Sequence, residues 1–193
     1  MTSSDRSEPL TAWLRDWQQA QPAHMNERLM KAVYGELRRV AAQRLAGESP
    51  ASWTPTELVH ETWLRLKPGD APLADRNAFL RLASVAMRNL LVDQARERLA
   101  QKRHGHMQTI TVSLAEDGGG RSLDDHRLLD LDRALDALAL EYPRAAAAVA
   151  LRVFGGLELD ELAAALEISL ATAKRDLAFG RAWLTDALKG ASA

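Results

Sequence analysis

Residues Leu159 to Leu184 read LDELAAALEISLATAKRDLAFGRAWL. Leu159, Leu162, Ala163 and Leu166 recur at helical spacing and give a first helix one buried face. Glu167-Ile168-Ser169 breaks the period. Ile168 can plug the corner, and Ser169 is a good N-cap for a second helix. Ala173, Leu177, Gly180, Leu184 and Leu188 then run down one side of that helix, leaving Thr172, Lys174, Arg175 and Arg181 to point elsewhere. In a helix-turn-helix the first turns of the second helix enter the major groove. Arg and Lys there suit guanine O6 and N7, and the helix N-terminus suits phosphate. The same spacing also describes a solvated face on a bundle helix. Spacing alone does not separate the two.

The chain has 193 residues, long enough for one domain or two small ones with a real core. It has no Cys, which excludes disulfides, thiolate metal sites and cysteine nucleophiles. MTSSDRSEPL at the start lacks the apolar core of a signal peptide, and no apolar run approaches the ~18 residues of a membrane span. A soluble, cytoplasmic protein is expected, with no membrane partner.

Working outward, strand signals are nearly absent; the one β-like run, Thr109 to Val112, is short and isolated. Helical periodicity dominates, so the fold is expected to be all-α. Leu29, Val33, Leu37 and Val40 mark a helix over 25–46, with a weaker one before it. Thr54-Pro55-Thr56-Glu57 has the form of a capping box, ahead of an apolar face of Leu58, Val59, Thr62, Trp63 and Leu66. A long helix over 77–103 puts Phe79, Leu82, Ala83, Ala86 and Leu90 on one face and Arg81, Arg88, Arg96 and Arg103 on the other. Val85 and Val92 lie within that Arg stripe, so the stripe should dock onto something. Residues 104–126, with Gly118 to Gly120, read as a flexible linker. Helices are expected again over 127–140 and 144–154.

The formal charge of −1 is an average over opposed segments. Residues 76–103 carry seven Lys/Arg and two acids, net +5; residues 107–143 carry eight acids and three Arg, net −5. Residues 168–189 carry four Lys/Arg and two Asp, net +2. Nucleic-acid binding depends on such local charge rather than on the total. The acidic middle can also cover the basic helix and mask it.

GGLELDELAAALEISLATAKRDLAFGRAWL (155–184) resembles region 4 of bacterial sigma factors of the extracytoplasmic-function (ECF) group, and LALEYPRAAAAVALRVFGG (138–156) resembles the approach to it. PTELVHETWLRL (55–66) and NLLVDQARER (89–98) resemble two motifs of region 2. Together these motifs cover roughly 25–188, in the family's order. The departures are Glu167, where the family usually has Gly, Ala173 for a core Val, His60 for Gln, and Gly180 inside the reading helix.

The resemblance implies a protein that binds core RNA polymerase, carries it to promoter DNA and is not an enzyme. It implies an N-terminal segment 1–24, a region 2-like domain 25–103, a flexible linker 104–126 and a region 4-like helix-turn-helix domain 127–193. Ser169, Thr172, Lys174, Arg175 and Arg181 would meet the −35 element. Arg88, Asn89, Asp93 and Arg96 would meet the −10 element, with the loop 67–76 as the place for a flipped base. Glu57, Leu58, His60 and Glu61 would grip the polymerase. An anti-sigma factor is a further candidate partner.

No catalytic residue, cofactor, metal or small-molecule substrate is expected. His104 and His106 stand in the linker without supporting ligands, and Gly118 to Gly120 lacks the strand and Lys of a phosphate loop. Two other readings fit the same residues: a stand-alone helix-turn-helix regulator, or a helical adaptor that binds only protein.

Overall fold

The structure, a computed structural model, describes residues 54–66, 76–101, 109–112 and 121–190. The helices expected before residue 47, the loop 67–75, Arg103, the two linker histidines and Gly118 to Gly120 lie outside the described residues.

Helix α1 spans Pro55–Arg65 and begins at the expected capping box. The Thr54 hydroxyl accepts the Glu57 N–H at 3.2 Å, and the Glu57 carboxylate accepts the Thr54 N–H at 2.7 Å. Pro55 fills a first-turn position where its missing donor is not needed. Leu58, Val59, Thr62, Trp63 and Leu66 are all buried. The Thr62 hydroxyl donates to the Leu58 carbonyl at 2.7 Å, so its burial strands no polar group.

Helix α2, Arg76–Gln101, buries Phe79, Ala83, Ala86 and Leu90, with Leu82 half-buried. Leu80, Met87, Leu91, Val92 and Ala95 are buried as well. Apolar burial around most of a helix means that it is covered on more than one side. Indeed α2 packs on α1 and also on three helices of the C-terminal half.

The linker span is not featureless. Strand β1, Thr109–Val112, pairs antiparallel with β2, Arg121–Asp124, placing Thr109 opposite Asp124 and Val112 opposite Arg121. This corrects the expectation that the β-like run is isolated. The partner strand, RSLD, has little strand propensity of its own, so its pairing was not visible locally. The helices still set the fold class, which is all-α.

Four helices complete the chain: α3 (Asp125–Glu141), α4 (Pro143–Val153), α5 (Leu159–Ala165) and α6 (Leu170–Gly190). Asp124 caps α3 by accepting the Arg127 N–H at 2.9 Å. Leu128, Leu131, Leu135 and Leu138 form its buried stripe. Helix α6 packs against α3, α4 and α5. Its approach to α4 depends on Gly180, where a Cβ would lie 2.7 Å from Val149 Cγ2 and 3.2 Å from the Ala145 carbonyl oxygen. Read from sequence, this Gly is a helix defect. In the fold it is the point of close contact.

Among the described residues, nearly all the buried apolar side chains belong to one cluster, from Leu58 and Trp63 through Phe79 and Leu90 to Leu128, Phe154 and Leu184. The parts expected to be two lobes therefore share a core in this structure. Each fully buried Leu or Phe contributes about 1.5–3 kcal/mol relative to exposure.

Candidate nucleic-acid interface

The turn between α5 and α6 is built as the sequence suggested. Glu167 takes φ of 56°, the left-handed conformation that Gly adopts without strain. The Ile168 N–H returns to the Ala163 carbonyl at 3.0 Å and tightens the corner. Ser169 Oγ then accepts the Thr172 N–H at 3.1 Å, which fixes the start of α6. The Thr172 hydroxyl lies 2.8 Å from Ser169 Oγ and 3.5 Å from Arg175 Nη2. It orders both ends of this first turn.

Lys174 and Arg175 are exposed, and no acid among the described residues neutralises them. Asp176 is the acid next to them in sequence. It is drawn away by Arg144 of α4, whose Nη2 reaches Asp176 Oδ1 at 3.2 Å. The hydrogen bond to Asp176, and its charge, hold the Arg144 pKa above the usual guanidinium value. The face of α6 that carries Lys174 and Arg175 thus keeps its positive charge. Arg181 sits nearly two turns on and is half-buried. The sequence reading missed Leu170 (53 % exposed) and Ala171, which are exposed on the first turn beside these residues. Ala is among the side chains that can meet a thymine methyl.

The α2 residues Arg88, Asn89, Asp93 and Arg96 are brought together. All four line one groove of about 540 Å³, with Leu82, Val85, Ala86 and Val92 as its apolar lining. Arg65 joins them, its Nη1 3.0 Å from Asp93 Oδ2, rather than pairing with Glu61 one turn back. The groove also contains two residues assigned no site role in the sequence, Asp132 and Asp136 of α3. Arg88 donates through Nε to Asp132 Oδ1 at 2.8 Å and through Nη2 to Asp136 Oδ1 at 2.7 Å. Arg96 Nη2 reaches Asp132 Oδ2 at 3.4 Å. The acids at i and i+4 on α3 were the available signal for such a face.

On α1, Glu57 and His60 are exposed and Glu61 is half-exposed, so these three can face a partner. Leu58 cannot: it has no exposed surface and belongs to the core. That corrects its place among the polymerase contacts. Glu57 has a second duty, since its carboxylate completes the helix cap. Hydrogen bonds with the Thr54 backbone and then the Thr54 side chain lower its pKa below the ordinary carboxylate value of 4.5.

The described residues are mostly helical, and α5, the tight turn at Glu167 and the capped α6 have the form of a helix-turn-helix. The family model for ECF sigma factors matches residues 7–190, nearly the full length, and the chain belongs to that family. No match was found among curated proteins or solved structures. ECF sigma factors are transcription factors that work with RNA polymerase and promoter DNA, not enzymes. Among the described residues, no helix is long and apolar enough to cross a membrane.

Proposed function

We propose that this chain directs core RNA polymerase to specific promoters, with the first turns of α6 reading the −35 element and the α2 groove engaging the −10 element. The observation that carries this reading is the start of α6: a Ser169 cap with Lys174 and Arg175 exposed and unneutralised beside it. That is the arrangement that lets a helix end enter the major groove and donate to guanine. In α2, Arg88 and Arg96 supply phosphate neutralisation and Asn89 a base-edge partner.

Glu57, His60 and Glu61, with exposed Leu64 on the same helix, form the surface offered to polymerase. An anti-sigma protein is a further candidate partner. Working alongside polymerase, the protein acts in the cytoplasm. The reading keeps a region 2-like domain (25–103), a connector (104–126) and a region 4-like domain (127–193). Run-off transcription with purified core polymerase on fragmented genomic DNA tests it. Discrete transcripts that require this chain support the proposal, and their absence alongside an active control sigma factor contradicts it.

A further inference from the structure

Phe179 lies one turn beyond Arg175 on α6, at the i+4 spacing that puts two side chains on one helix face. It is 44 % exposed, although Phe is a side chain that a helix normally turns to its core. Its ring is nevertheless held. Tyr142 meets it edge to face, with ring centroids 4.8 Å apart and planes at 64°. Tyr142 stands at the corner where α3 ends and α4 begins, its N–H donating to the Leu138 carbonyl at 2.7 Å. Two residues on, Arg144 holds Asp176 through Nη2 at 3.2 Å. The corner thus grips α6 at two places three residues apart, fixing its rotation and the Phe179 ring together. Ala178 and Ala182, exposed beside Phe179, are too short to cover it.

We propose that Phe179 is a further specificity-determining residue of α6, which recognises the C5-methyl group of a thymine in the −35 element, with Tyr142 as its positioning residue. The proposal rests on the reading of α6 as the −35 helix. The thymine methyl is an apolar feature of the major groove, and Phe is among the side chains that meet it. Side chains on a helix lean towards its N-terminus, so the ring reaches back to the turn that carries Arg175. Residues four apart are about 6 Å apart along a helix axis, and base pairs stack about 3.4 Å apart. The thymine therefore falls within about two base pairs of the position that Arg175 governs. Charge at the start of the helix and an apolar ring one turn later read different features of neighbouring pairs.

The test uses the full chain with core polymerase, on duplex promoter probes carrying the −35 sequence preferred from a randomised library. Each thymine of that element is replaced in turn by deoxyuridine, which keeps the base pair and lacks only the methyl. One replacement, within about two base pairs of the position shifted by Arg175→Ala, should weaken binding about fourfold, the worth of burying one such group. This measurement alters only the DNA, so it does not depend on any variant folding. Phe179→Ala should bind the thymine and deoxyuridine probes equally, and Phe179→Leu, which keeps an apolar tip, should keep part of the difference. Tyr142→Ala should reduce the difference. Tyr142→Phe retains the ring edge and should preserve it.

A preferred element without thymine overturns the proposal, as does undiminished affinity for every deoxyuridine probe. If Lys174→Ala and Arg175→Ala still shift the preference in that case, the reading of α6 stands and only the role of Phe179 falls. No preference at any −35 position contradicts the reading of α6 itself, and the proposal with it. Weaker binding of Phe179→Ala to core polymerase without DNA, at an unchanged ratio between the two probes, makes the aromatic pair a protein-docking surface and also overturns the proposal.

Discussion

Arg98 and Asp125 form the most deeply buried ion pair among the described residues, 13 % and 0 % exposed in their side chains and 2.7 Å apart. The pair joins the last turns of α2 to the first turn of α3, across the paired strands that link them. Burying two charges is costly, and breaking such a pair leaves one uncompensated. Asp125→Ala should therefore destabilise the chain by about 3–5 kcal/mol, whereas replacing both partners by apolar residues of similar volume should cost far less. Urea denaturation of the single and double variants measures the difference.

Gly180→Ala should destabilise although Ala is the better helix former. The propensity gain is about 1 kcal/mol, against roughly 1–3 kcal/mol for forcing a methyl into a filled contact. Val149 Cγ2 and the Ala145 carbonyl are what the methyl meets. Trimming the neighbour, Val149→Ala, should make the Gly180→Ala change much less costly in thermal denaturation.

Glu167→Gly should stabilise. The left-handed backbone there strains any side chain by about 1–2 kcal/mol, and the greater freedom of Gly in the unfolded chain returns part of this. A small rise in Tm is expected, with no change in DNA preference because Glu167 lies in the turn before the reading helix.

The cap of α1 should depend on pH. The Glu57 pKa is lowered in the folded chain, so its contribution is present above the unfolded value of 4.5 and is lost as pH falls through the lower folded value. Glu57→Gln should remove that acid-side dependence. It also gives a cleaner test of the polymerase surface than Glu57→Lys, which would disturb the cap itself. His60→Ala with Glu61→Ala should weaken binding to core polymerase while leaving helical content unchanged by circular dichroism.

How much of this was legible in the sequence depended on how local each cause is. The capping box at Thr54 and the Ser169 cap were readable because partner and cap lie three residues apart. The left-handed turn at Glu167 could be anticipated for a related reason, from the family's Gly at that place. The Arg stripe of α2 was expected to dock, and the opposed charges of 76–103 and 107–143 gave the sign of its partner. Which acids it meets was not readable, since Arg88 and Asp132 are separated by 44 residues and only packing sets their register. Leu58 shows the opposite failure. It stands in a motif that resembles a polymerase-binding segment, but within that motif its helical position turns it to the core.

The central claim is that the first turns of α6 read promoter sequence, and a transcription assay over a randomised −35 library with core polymerase tests it most directly. A good bidentate base contact is worth roughly 1–3 kcal/mol of discrimination, whereas a phosphate contact carries little sequence information. Lys174→Ala and Arg175→Ala should each change which −35 sequences are preferred. Arg181→Ala should lower output from all sequences alike and reduce its dependence on salt. An unchanged −35 preference in both Lys174→Ala and Arg175→Ala would contradict the account and leave α6 as scaffold.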